Sequence, residues 1–556
     1  MKNLIKTATG DKNAYLVLKN GKVFNAFTAE FEKQDIAIYK DRIAGIGKNY
    51  KGNIEIDLKG KIVVPGFIDA HVHIESSMLV PQEFAKAALL GGTTTVIADP
   101  HEIANVLGYD GVLYMLDASR DAVIDIFYTV PSCVPESRFV TAGGRIDSKD
   151  IEKLLSKEKV IGIGEVMDFS GILNTSPHIL SKIEKAKKEI IDGHAPKLKG
   201  KYLNAYISAG IYSDHECTSS KEALEKLKRG MWIMIREGTG AKNLTSLVSI
   251  INNLNHTRMM FVSDDKHPDE LINGYMNLIV SKAIENNISL EIALRMVTLN
   301  PSIYFNLKGY GAIAPGFFAD ISIFEDQNFS NKPWMVIKKG KIVVKEGKLI
   351  KRFGRAFIPE NVKNTVKIPK IDENSFKFHH KGRVRAIKIL KGQILTEEII
   401  EKPENLDKLI VIERHGKKGN IAKGYVKGFE IKKGAFGSTV AHDSHNLIIV
   451  GKEEKDMYLV AKKLEEIGGG IAVSINQEIK GVLPLPVAGL MSDRSIETVV
   501  KEFKEILKKV KETGTPIENP FFVLSFLSLS VIPSLRITDK GVFDSKNMKF
   551  VSVEYE

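Results

Sequence analysis

The chain has 556 residues, of which 43% are hydrophobic and 27% charged, which is typical of a globular protein of several domains. Lys and Arg outnumber Asp and Glu by 80 to 68, but the charges are mixed in sign along the chain, so a nucleic-acid-binding protein is not expected. The two cysteines, Cys133 and Cys217, are too few for a disulfide framework.

Neither a signal peptide nor a membrane span is predicted. The N-terminal stretch MKNLIKTATGDKNAYL lacks an apolar core, and the most apolar late segment, FFVLSFLSLSVIPSL, is short and interrupted by serines and a proline. We therefore expect a cytoplasmic protein that does not bind membranes.

Residues 1–62 read as short alternating strands separated by Gly and Asp turns, as in YLVLKNGKVFN and DIAIYKDRIAGIG, and predict a small β domain. From residue 63 to 305 the pattern changes to a strand followed by an amphipathic helix, repeated, which favours a parallel sheet with crossover helices. Eight candidate strands follow one another: KIVVPGFIDAHVH, TTTVIADPHE, IDIFYTVPS, VIGIGEV, EIIDGHAP, IYSDHECT, MWIMIREG and MMFVSDD.

Eight such units match the repeat and the size of a (β/α)8 barrel, whose chemistry is assembled at the carboxyl ends of the strands. Five of the 13 histidines lie at these predicted ends, together with acidic residues. Each one alone is more often a helix cap or a hydrogen-bonded loop residue, but the barrel would bring the whole set together. The set comprises His71, His73, His101, Glu102, Glu165, His194, His215, Glu216, Asp264 and Asp265.

The first strand ends in the pair His71 and His73. Side chains on a strand alternate between its faces, so both imidazoles point the same way and form half of a metal site. An isolated H-x-H pair is as often a polar strand end, with histidines that only form hydrogen bonds, as it is part of a metal site. The residues at the other strand ends decide between these interpretations. Imidazoles and carboxylates without thiolate suit Zn, Mn, Fe or Co. Glu165, from the fourth strand, is the natural carboxylate to bridge two cations.

After the predicted barrel, GAIAPGFFADISIF (residues 311–324) returns the chain to the small β domain. Residues 356–556 mix strands with amphipathic helices and predict an α+β domain. Within it, GSTVAHDSHN holds His442, Asp443 and His445, either as a polar turn packed against the barrel or as a lid that contacts the substrate. The glycines at residues 468–470 indicate a helix stop and a tight turn.

These motifs resemble the amidohydrolase superfamily and, within it, the adenine deaminases of bacteria and archaea. The superfamily resemblance rests on PGFIDAHVH, the later histidines, the acidic end of strand eight and the return segment. The narrower resemblance spans most of the chain and rests on HVHIESSM, ADPHEIANVLG, PSCVPES, GIGEVMDF, DGHAP, SDHE, AHDSHN and LPLPVAGLMSD.

The resemblance implies an α/β fold of three parts. They are a (β/α)8 metal-dependent hydrolase barrel over residues 63–305, a small β-sandwich domain from both flanks (1–62 plus 306–355), and an additional C-terminal α+β domain (356–556). A homo-oligomer is also expected.

For the metal centre, the resemblance implies two divalent cations, Mn²⁺ or Fe²⁺, with Zn²⁺ also compatible. One would be held by His71, His73, Glu165 and Asp264, and the other by Glu165, His194 and His215. Asp264 is preferred to Asp265 because it follows the superfamily's Ser/Thr-Asp pattern. Strand four carries Glu where many relatives carry a carboxylated lysine, which argues against the hydantoinase and dihydroorotase branches.

The implied reaction is hydrolysis of adenine to hypoxanthine and ammonia, in purine salvage, by a metal-activated hydroxide that attacks C6. Asp264 is the first candidate for the proton shuttle, with Glu102, Glu216 and Asp265 as rivals that could instead orient a histidine. His101 is predicted to be a further ligand or a substrate contact, and His445 a substrate contact.

Three alternatives accompany this prediction. Another binuclear amidohydrolase, acting on a different purine or a cyclic amide, would keep the ligands, whereas a non-enzymatic scaffold would be expected to lose them. The zinc nucleobase deaminases use H-x-E followed by P-C-x-x-C. His73-Ile74-Glu75 matches the first element, but the sequence contains no P-C-x-x-C, so this match is accidental.

Overall fold

The computed structural model describes residues 1–350, 358–380, 382–390 and 394–555. The N-terminal region begins with a short helix and continues as strands. The long strand β1 pairs antiparallel with β2 and parallel with β4 and β5. These elements are α1 (Lys2–Ala8), β1 (Ala14–Asn25), β2 (Glu30–Tyr39), β3 (Arg42–Gly47), β4 (Gly52–Asp57) and β5 (Ile62–Pro65).

Strands and helices then alternate, and each of the eight predicted strand segments contains an observed strand. The strands are β6 (Phe67–His73), β7 (Thr93–Ala98), β8 (Asp125–Val130), β9 (Val160–Val166), β10 (Ile190–Gly193), β11 (Ser213–Asp214), β12 (Trp232–Arg236), β13 (Met259–Val262) and β14 (Asp264–Asp265). The helices are α2 (Pro81–Leu90), α3 (His101–Leu107), α4 (Tyr109–Ala118), α5 (Ser148–Leu155), α6 (Phe169–Leu173), α7 (Pro177–Lys185), α8 (Gly200–Ser208), α9 (Ser220–Lys228), α10 (Leu244–Leu247), α11 (Pro268–Leu271), α12 (Met276–Glu285), α13 (Leu290–Met296) and α14 (Leu299–Tyr304).

The helices begin where the sequence supplies a start signal. Pro81 occupies the first turn of α2, where its missing N–H costs nothing. The Asp147 carboxylate accepts hydrogen bonds from the backbone of Lys149 and Asp150, which forms a capping box at the start of α5. The helix predicted over LTSLVSIINNL is shorter than expected, because α10 ends at Leu247 and a 3-10 turn follows.

All strand pairs in this region are parallel and form two sheets, in the orders β10-β9-β8-β7-β6-β14 and β11-β12-β13. The last strand segment belongs to both sheets, because β13 pairs with β12 and, after Ser263, β14 pairs with β6. Between β10 and β11, the backbone N–H of Gly193 donates to Ser213 Oγ (3.1 Å). The fold is therefore mixed α/β, and its larger parallel sheet has the form of half a barrel.

The chain next returns to the N-terminal sheet. β15 pairs antiparallel with β5, so the two flanks form one continuous sheet of nine strands. Its core joins residues from both flanks, such as Ile36, Val63 and Ile321. The returning strands are β15 (Ile321–Phe324), β16 (Met335–Lys338), β17 (Lys341–Lys345) and β18 (Lys348–Leu349). The boundary predicted at residues 355 and 356 lies outside the described residues.

The C-terminal region contains an eight-stranded sheet, in the order β20-β19-β22-β21-β24-β23-β25-β26, and a separate sheet of β27, β28 and β29. Helix α15 packs on β23, β24 and β25, and α16 contacts both β26 and helices α2 and α11 of the preceding region. The predicted helix stop is confirmed, since α15 ends just before the glycines and β25 begins at the last of them. The elements are β19 (Val384–Ile389), β20 (Thr396–Glu401), β21 (Asp407–Ile412), β22 (Ile421–Lys427), β23 (Ala435–Ser438), β24 (Leu447–Gly451), α15 (Glu454–Glu466), β25 (Gly470–Ile475), β26 (Glu478–Pro484), α16 (Ile496–Lys511), α17 (Pro520–Phe526), β27 (Leu535–Thr538), β28 (Gly541–Asp544) and β29 (Lys549–Phe550).

Among the residues that the structure describes, no helix combines the length and the apolar character needed to cross a membrane.

Candidate metal centre

The six predicted metal ligands meet at the carboxyl ends of the parallel strands. Five of the six are buried, and His194 is partly exposed. His71 and His73 end β6, Glu165 lies near the end of β9, His194 and His215 directly follow β10 and β11, and Asp264 belongs to β14.

Glu165 lies between two pairs of imidazoles. Its Oε1 is 2.9 Å from His73 Nε2 and 3.2 Å from His71 Nε2. Its Oε2 is 2.7 Å from His194 Nδ1 and 3.4 Å from His215 Nε2. In each set of three residues, the potential ligand atoms all lie within 4.8 Å of one another. The carboxylate thus presents one oxygen to each of two potential cation positions.

Asp264 joins the first of these sets. Its Oδ1 is 3.1 Å from His73 Nε2, while its Oδ2 accepts a hydrogen bond of 2.9 Å from Arg236. Asp265 is also near His73, but its Oδ1 accepts a hydrogen bond of 2.5 Å from Ser76 Oγ and its side chain is only partly buried. Geometry therefore favours Asp264 over Asp265 as the residue that faces the histidines.

The electrostatics keep these carboxylates charged. Burial opposes ionisation of Glu165, but the charge of His215 and hydrogen bonds from the imidazoles hold the pKa of this carboxyl well below its usual value. For Asp264, burial is likewise outweighed, by a hydrogen bond from His73 together with the charges of Arg236 and the histidines, and the pKa is lowered. Within the described part of the chain, His71 Nε2 and Glu165 Oε1 are buried without a hydrogen-bond partner, which is costly unless another group satisfies them. The donor set and these unpaired atoms fit divalent cations.

Asp69 lies beneath the centre and joins the first strand to the last. Its Oδ1 accepts hydrogen bonds of 3.2 Å from the backbone N–H groups of His71 and Ser263. Ser263 directly precedes Asp264, so one buried carboxylate positions ligands on two strands. The sequence interpretation missed Asp69, although an acid inside the apolar segment PGFIDAHVH was a visible signal.

Asp99 positions two of the candidate ligands, Glu165 and His73. Its Oδ2 accepts a hydrogen bond of 3.0 Å from the backbone of Glu165, and its carbonyl oxygen lies 3.0 Å from His73 Nδ1. The carbonyl can only accept, so His73 carries a proton on Nδ1 and turns Nε2 toward Glu165. A Cβ at Gly164 would lie 1.9 Å from Asp99 Oδ2, so glycine is required there.

Arg236 is the main residue of the site that was missed. Its guanidinium donates to both carboxylate oxygens of Glu216, with Nη2 3.0 Å from Oε2, and also to Asp264. The signal was the one basic residue within the apolar strand MWIMIREG, since a buried charge needs partners. This contact holds Glu216 beside the histidines, with its charge neutralised.

His101 and Glu102, at the start of α3, link the centre to the C-terminal region. The His101 ring is 4.4 Å from that of His73, centroid to centroid, and its Nε2 is 3.4 Å from Glu102 Oε1. Glu102 also contacts His442 Nδ1 at 2.5 Å and His445 Nε2. The loop of residues 439–446 therefore packs against the strand ends of the parallel sheets, a contact that both interpretations of GSTVAHDSHN predict.

His445 does not present a free nitrogen to a ligand. Its Nδ1 accepts a hydrogen bond of 3.1 Å from the backbone of Ala441, and its Nε2 contacts Glu102. Burial lowers the pKa of His445 to about 4. His442 differs, because attraction from Glu102 outweighs burial and raises its pKa to about 9.

A narrow cleft lies beside Asp265, between the strand ends and the C-terminal region. Its polar lining includes Ser76, Asp265 and His267 from one side and His442 from the other, with the rings of Phe521 and Phe522 as apolar walls. Asp265 belongs both to this cleft and to a set of potential ligands with His73 and Asp264, so the cleft adjoins the centre.

Two family models match this chain. The model described as "Amidohydrolase family" matches residues 62–343, and the one described as "Adenine deaminase C-terminal domain" matches residues 384–549.

Similar proteins match over the full length. "Adenine deaminase 2" of Carboxydothermus hydrogenoformans is 44% identical, covering 100% of this chain and 99% of the relative. "Adenine deaminase" of Clostridium acetobutylicum is 43% identical, covering 98% of this chain and 99% of the relative. Among solved structures, the β-aspartyl dipeptidase of Fervidobacterium islandicum AW-1 aligns at 21% identity with a TM-score of 0.47, covering 61% of this chain and 99% of that protein.

Proposed function

The chain belongs to the adenine deaminase family of amidohydrolases, and from that premise we propose that it hydrolyses adenine to hypoxanthine and ammonia. Full-length relatives at 42–44% identity carry this assignment. The position of Glu165 between two imidazole pairs supports it, since hydrolysis at an aromatic carbon needs a strongly activated water.

We propose that two divalent cations occupy the centre, Mn²⁺ or Fe²⁺, with Zn²⁺ also compatible with the ligands. His71, His73 and Asp264 would hold one, and His194 and His215 the other, with Glu165 shared between them. When bound, the cations would lower the pKa of water to about 7 and so provide a nucleophile at neutral pH.

For proton transfer we propose Asp264. Its Oδ2 is held by Arg236, which fixes the carboxylate and leaves Oδ1 directed to the centre. Glu216 and Glu102 stay predicted as catalytic residues. Their contacts favour a role in positioning neighbouring side chains, because Arg236 binds both oxygens of Glu216 and histidines surround Glu102. The predicted substrate contact of His101 is supported by its position beside His73.

We also propose the finer architecture. The two parallel sheets would together form one (β/α)8 barrel over residues 63–305, and the nine-stranded sheet a small β-sandwich from residues 1–62 and 306–355, followed by the α+β domain of residues 356–556. The last strand, which pairs with both parallel sheets, supports closure of the barrel. A homo-oligomer and a cytoplasmic location stay predictions.

The test is release of ammonia from adenine by protein that is expressed under chelation and then reloaded with Mn²⁺. Its control is the double variant His71→Ala, His73→Ala, with the metal content of both proteins determined. We expect ammonia and hypoxanthine from the reloaded wild type and not from the variant. Guanine, adenosine and dihydroorotate are assayed beside adenine, because faster turnover of one of them would point to another amidohydrolase activity. Wild type that binds about two metals per chain yet leaves adenine unchanged would refute the substrate assignment.

A further inference from the structure

We propose that the C-terminal region forms one wall of the purine site, with the base held in the cleft between the strand ends and α17. Phe522 would stack on the base, and His267 and His442 would hydrogen-bond to its ring nitrogens. This inference rests on the proposed hydrolysis of adenine and specifies where the substrate is bound.

The position of the cleft is the first argument. Its lining includes Asp265, the last residue of β14, which directly follows Asp264. It also includes Ser76, which donates to Asp265 from the turn after His73. A ligand in the cleft would therefore lie beside the candidate metal ligands. The cleft is narrow in this structure, so its walls would move apart to admit the base.

The walls suit a flat aromatic ligand. The Phe522 ring lies 5.8 Å from that of His267, centroid to centroid, and 4.8 Å from that of Phe526. The Phe526 ring in turn stacks on His442 at 4.5 Å, with the two planes 26° apart. Helix α17 thus holds both imidazoles of the cleft through its aromatic side chains. Bases stack favourably on such rings.

The polar groups complement a purine edge. His267 is about nine-tenths buried, and its Nδ1 has no hydrogen-bond partner among the residues that the structure describes. Burial lowers its pKa, so the neutral ring offers one donor and one acceptor. On the opposite side, His442 directs Nδ1 to Glu102, which leaves Nε2 for a ligand. Purine ring nitrogens can accept or donate such hydrogen bonds, and hypoxanthine would fit as well as adenine.

The experiment compares two phenylalanines that both contact His267. Phe522 lines the cleft, whereas Phe503 lies 5.6 Å from His267, centroid to centroid, and does not belong to the cleft lining. We expect Phe522→Leu to raise the KM for adenine about tenfold, with kcat changed less than about threefold and the metal content unchanged. Phe503→Leu should keep the wild-type KM. His267→Leu should also raise KM, and His267→Gln should recover part of the loss.

Calorimetric binding of hypoxanthine to the Mn²⁺-loaded proteins provides a readout that does not depend on turnover. If adenine is hydrolysed but Phe522→Leu and His267→Leu match Phe503→Leu in both KM and hypoxanthine affinity, the inference is overturned while the function stands. If wild type does not hydrolyse adenine, the proposed function is refuted. The binding of hypoxanthine then decides whether the cleft is a purine site. Purine binding that Phe522→Leu weakens would support it, and no binding by wild type would refute it.

Discussion

At the scale of single residues, Glu165 has the most demanding position. It is buried, and each of its oxygens faces a different pair of histidines at 2.7–3.4 Å. An amide in its place would keep the shape but would give only one good ligand oxygen and no charge.

We therefore expect Glu165→Gln to lower both the metal content and the rate of adenine hydrolysis. Loss of an outer partner of a metal ligand already costs about 10–100-fold, so loss of a shared ligand should cost at least about 100-fold in kcat/KM. Metal analysis and steady-state kinetics measure both effects, with the exposed Glu189→Gln as control. A Glu165→Gln protein with a full metal complement and near-normal kinetics would contradict the bridging role.

Arg236 leads to a prediction about stability. Replacing it with Met would leave Glu216 and Asp264 buried without their cation, and breaking a buried ion pair from one side costs about 3–5 kcal/mol. Denaturant unfolding of the metal-free proteins should show this loss. Arg229→Met, which removes a surface pair with Glu225, should cost less than about 1 kcal/mol. Equal effects of the two changes would mean that the buried contacts of Arg236 stabilise the fold no more than a surface ion pair does.

Residues that lie on a periodic pattern could be predicted from the sequence, and residues defined by long-range contacts could not. His71 and His73 are two apart on a strand, so their shared face follows from backbone geometry alone. His267 belongs to no periodic element, and its role depends on Phe522, which is far along the chain in the C-terminal region. Nothing in the local sequence distinguishes it from an ordinary loop histidine.

At the scale of elements, the N-terminal end of β8 is tied to the flanking sheet by buried charges. Asp125 Oδ2 is 2.7 Å from Lys338 Nζ, and its Oδ1 is 2.9 Å from Lys339 Nζ. Lys338 is also 2.6 Å from Asp320. Burial opposes ionisation of Asp125, but the two lysines outweigh it and lower its pKa below the ordinary 3.8.

We expect Asp125→Asn to destabilise the protein by about 3 kcal/mol at neutral pH. An acid whose pKa is lowered by folding contributes stability above its ordinary pKa and loses it as the pH falls toward the folded value. The difference between wild type and variant should therefore be full at pH 7 and smaller at pH 3, as measured by urea denaturation. The exposed Asp121→Asn serves as control. A difference that is constant across this range would show that the charge of Asp125 is not responsible.

The order of the strands and helices could be predicted because hydrophobic periodicity and turn residues are properties of the local sequence. All eight strand segments between residues 61 and 265 were located from the sequence. The short α10 was not, because LTSLVSIINNL has helical spacing but tertiary packing ends the helix after one turn.

At the scale of the whole molecule, binding of metal should be coupled to folding. The candidate centre joins residues from β6, β9 and β14 with those that follow β10 and β11, so a cation would hold several strand ends together. A ligand that binds only the folded state at about 1,000 times its Kd adds about 4 kcal/mol.

We therefore expect the chelated protein to melt at a lower temperature than the Mn²⁺-reloaded protein, in thermal scans at matched pH. The double variant His71→Ala, His73→Ala should show a much smaller rise on addition of Mn²⁺. Identical melting of the chelated and reloaded wild type would argue against a metal centre that spans the strands.

The position of the C-terminal region could not be read from the sequence. Its link to the centre consists of Glu102 and the histidines of the loop at residues 439–446, and Glu102 and His445 are 343 residues apart in the chain. Composition indicates that these groups are polar, but only the folded structure shows that they face one another.

The nine-stranded sheet also has a consequence for how the protein is made. β5 leaves the ribosome well before its partner β15, because the whole region of parallel strands is translated between them. At about 5–20 residues per second, the nascent N-terminal strands wait on the order of 10–50 seconds with one edge unpaired. Such an edge can pair with other chains. We therefore expect β5 to be open to pairing with other chains during synthesis, until translation delivers the strand that completes the sheet.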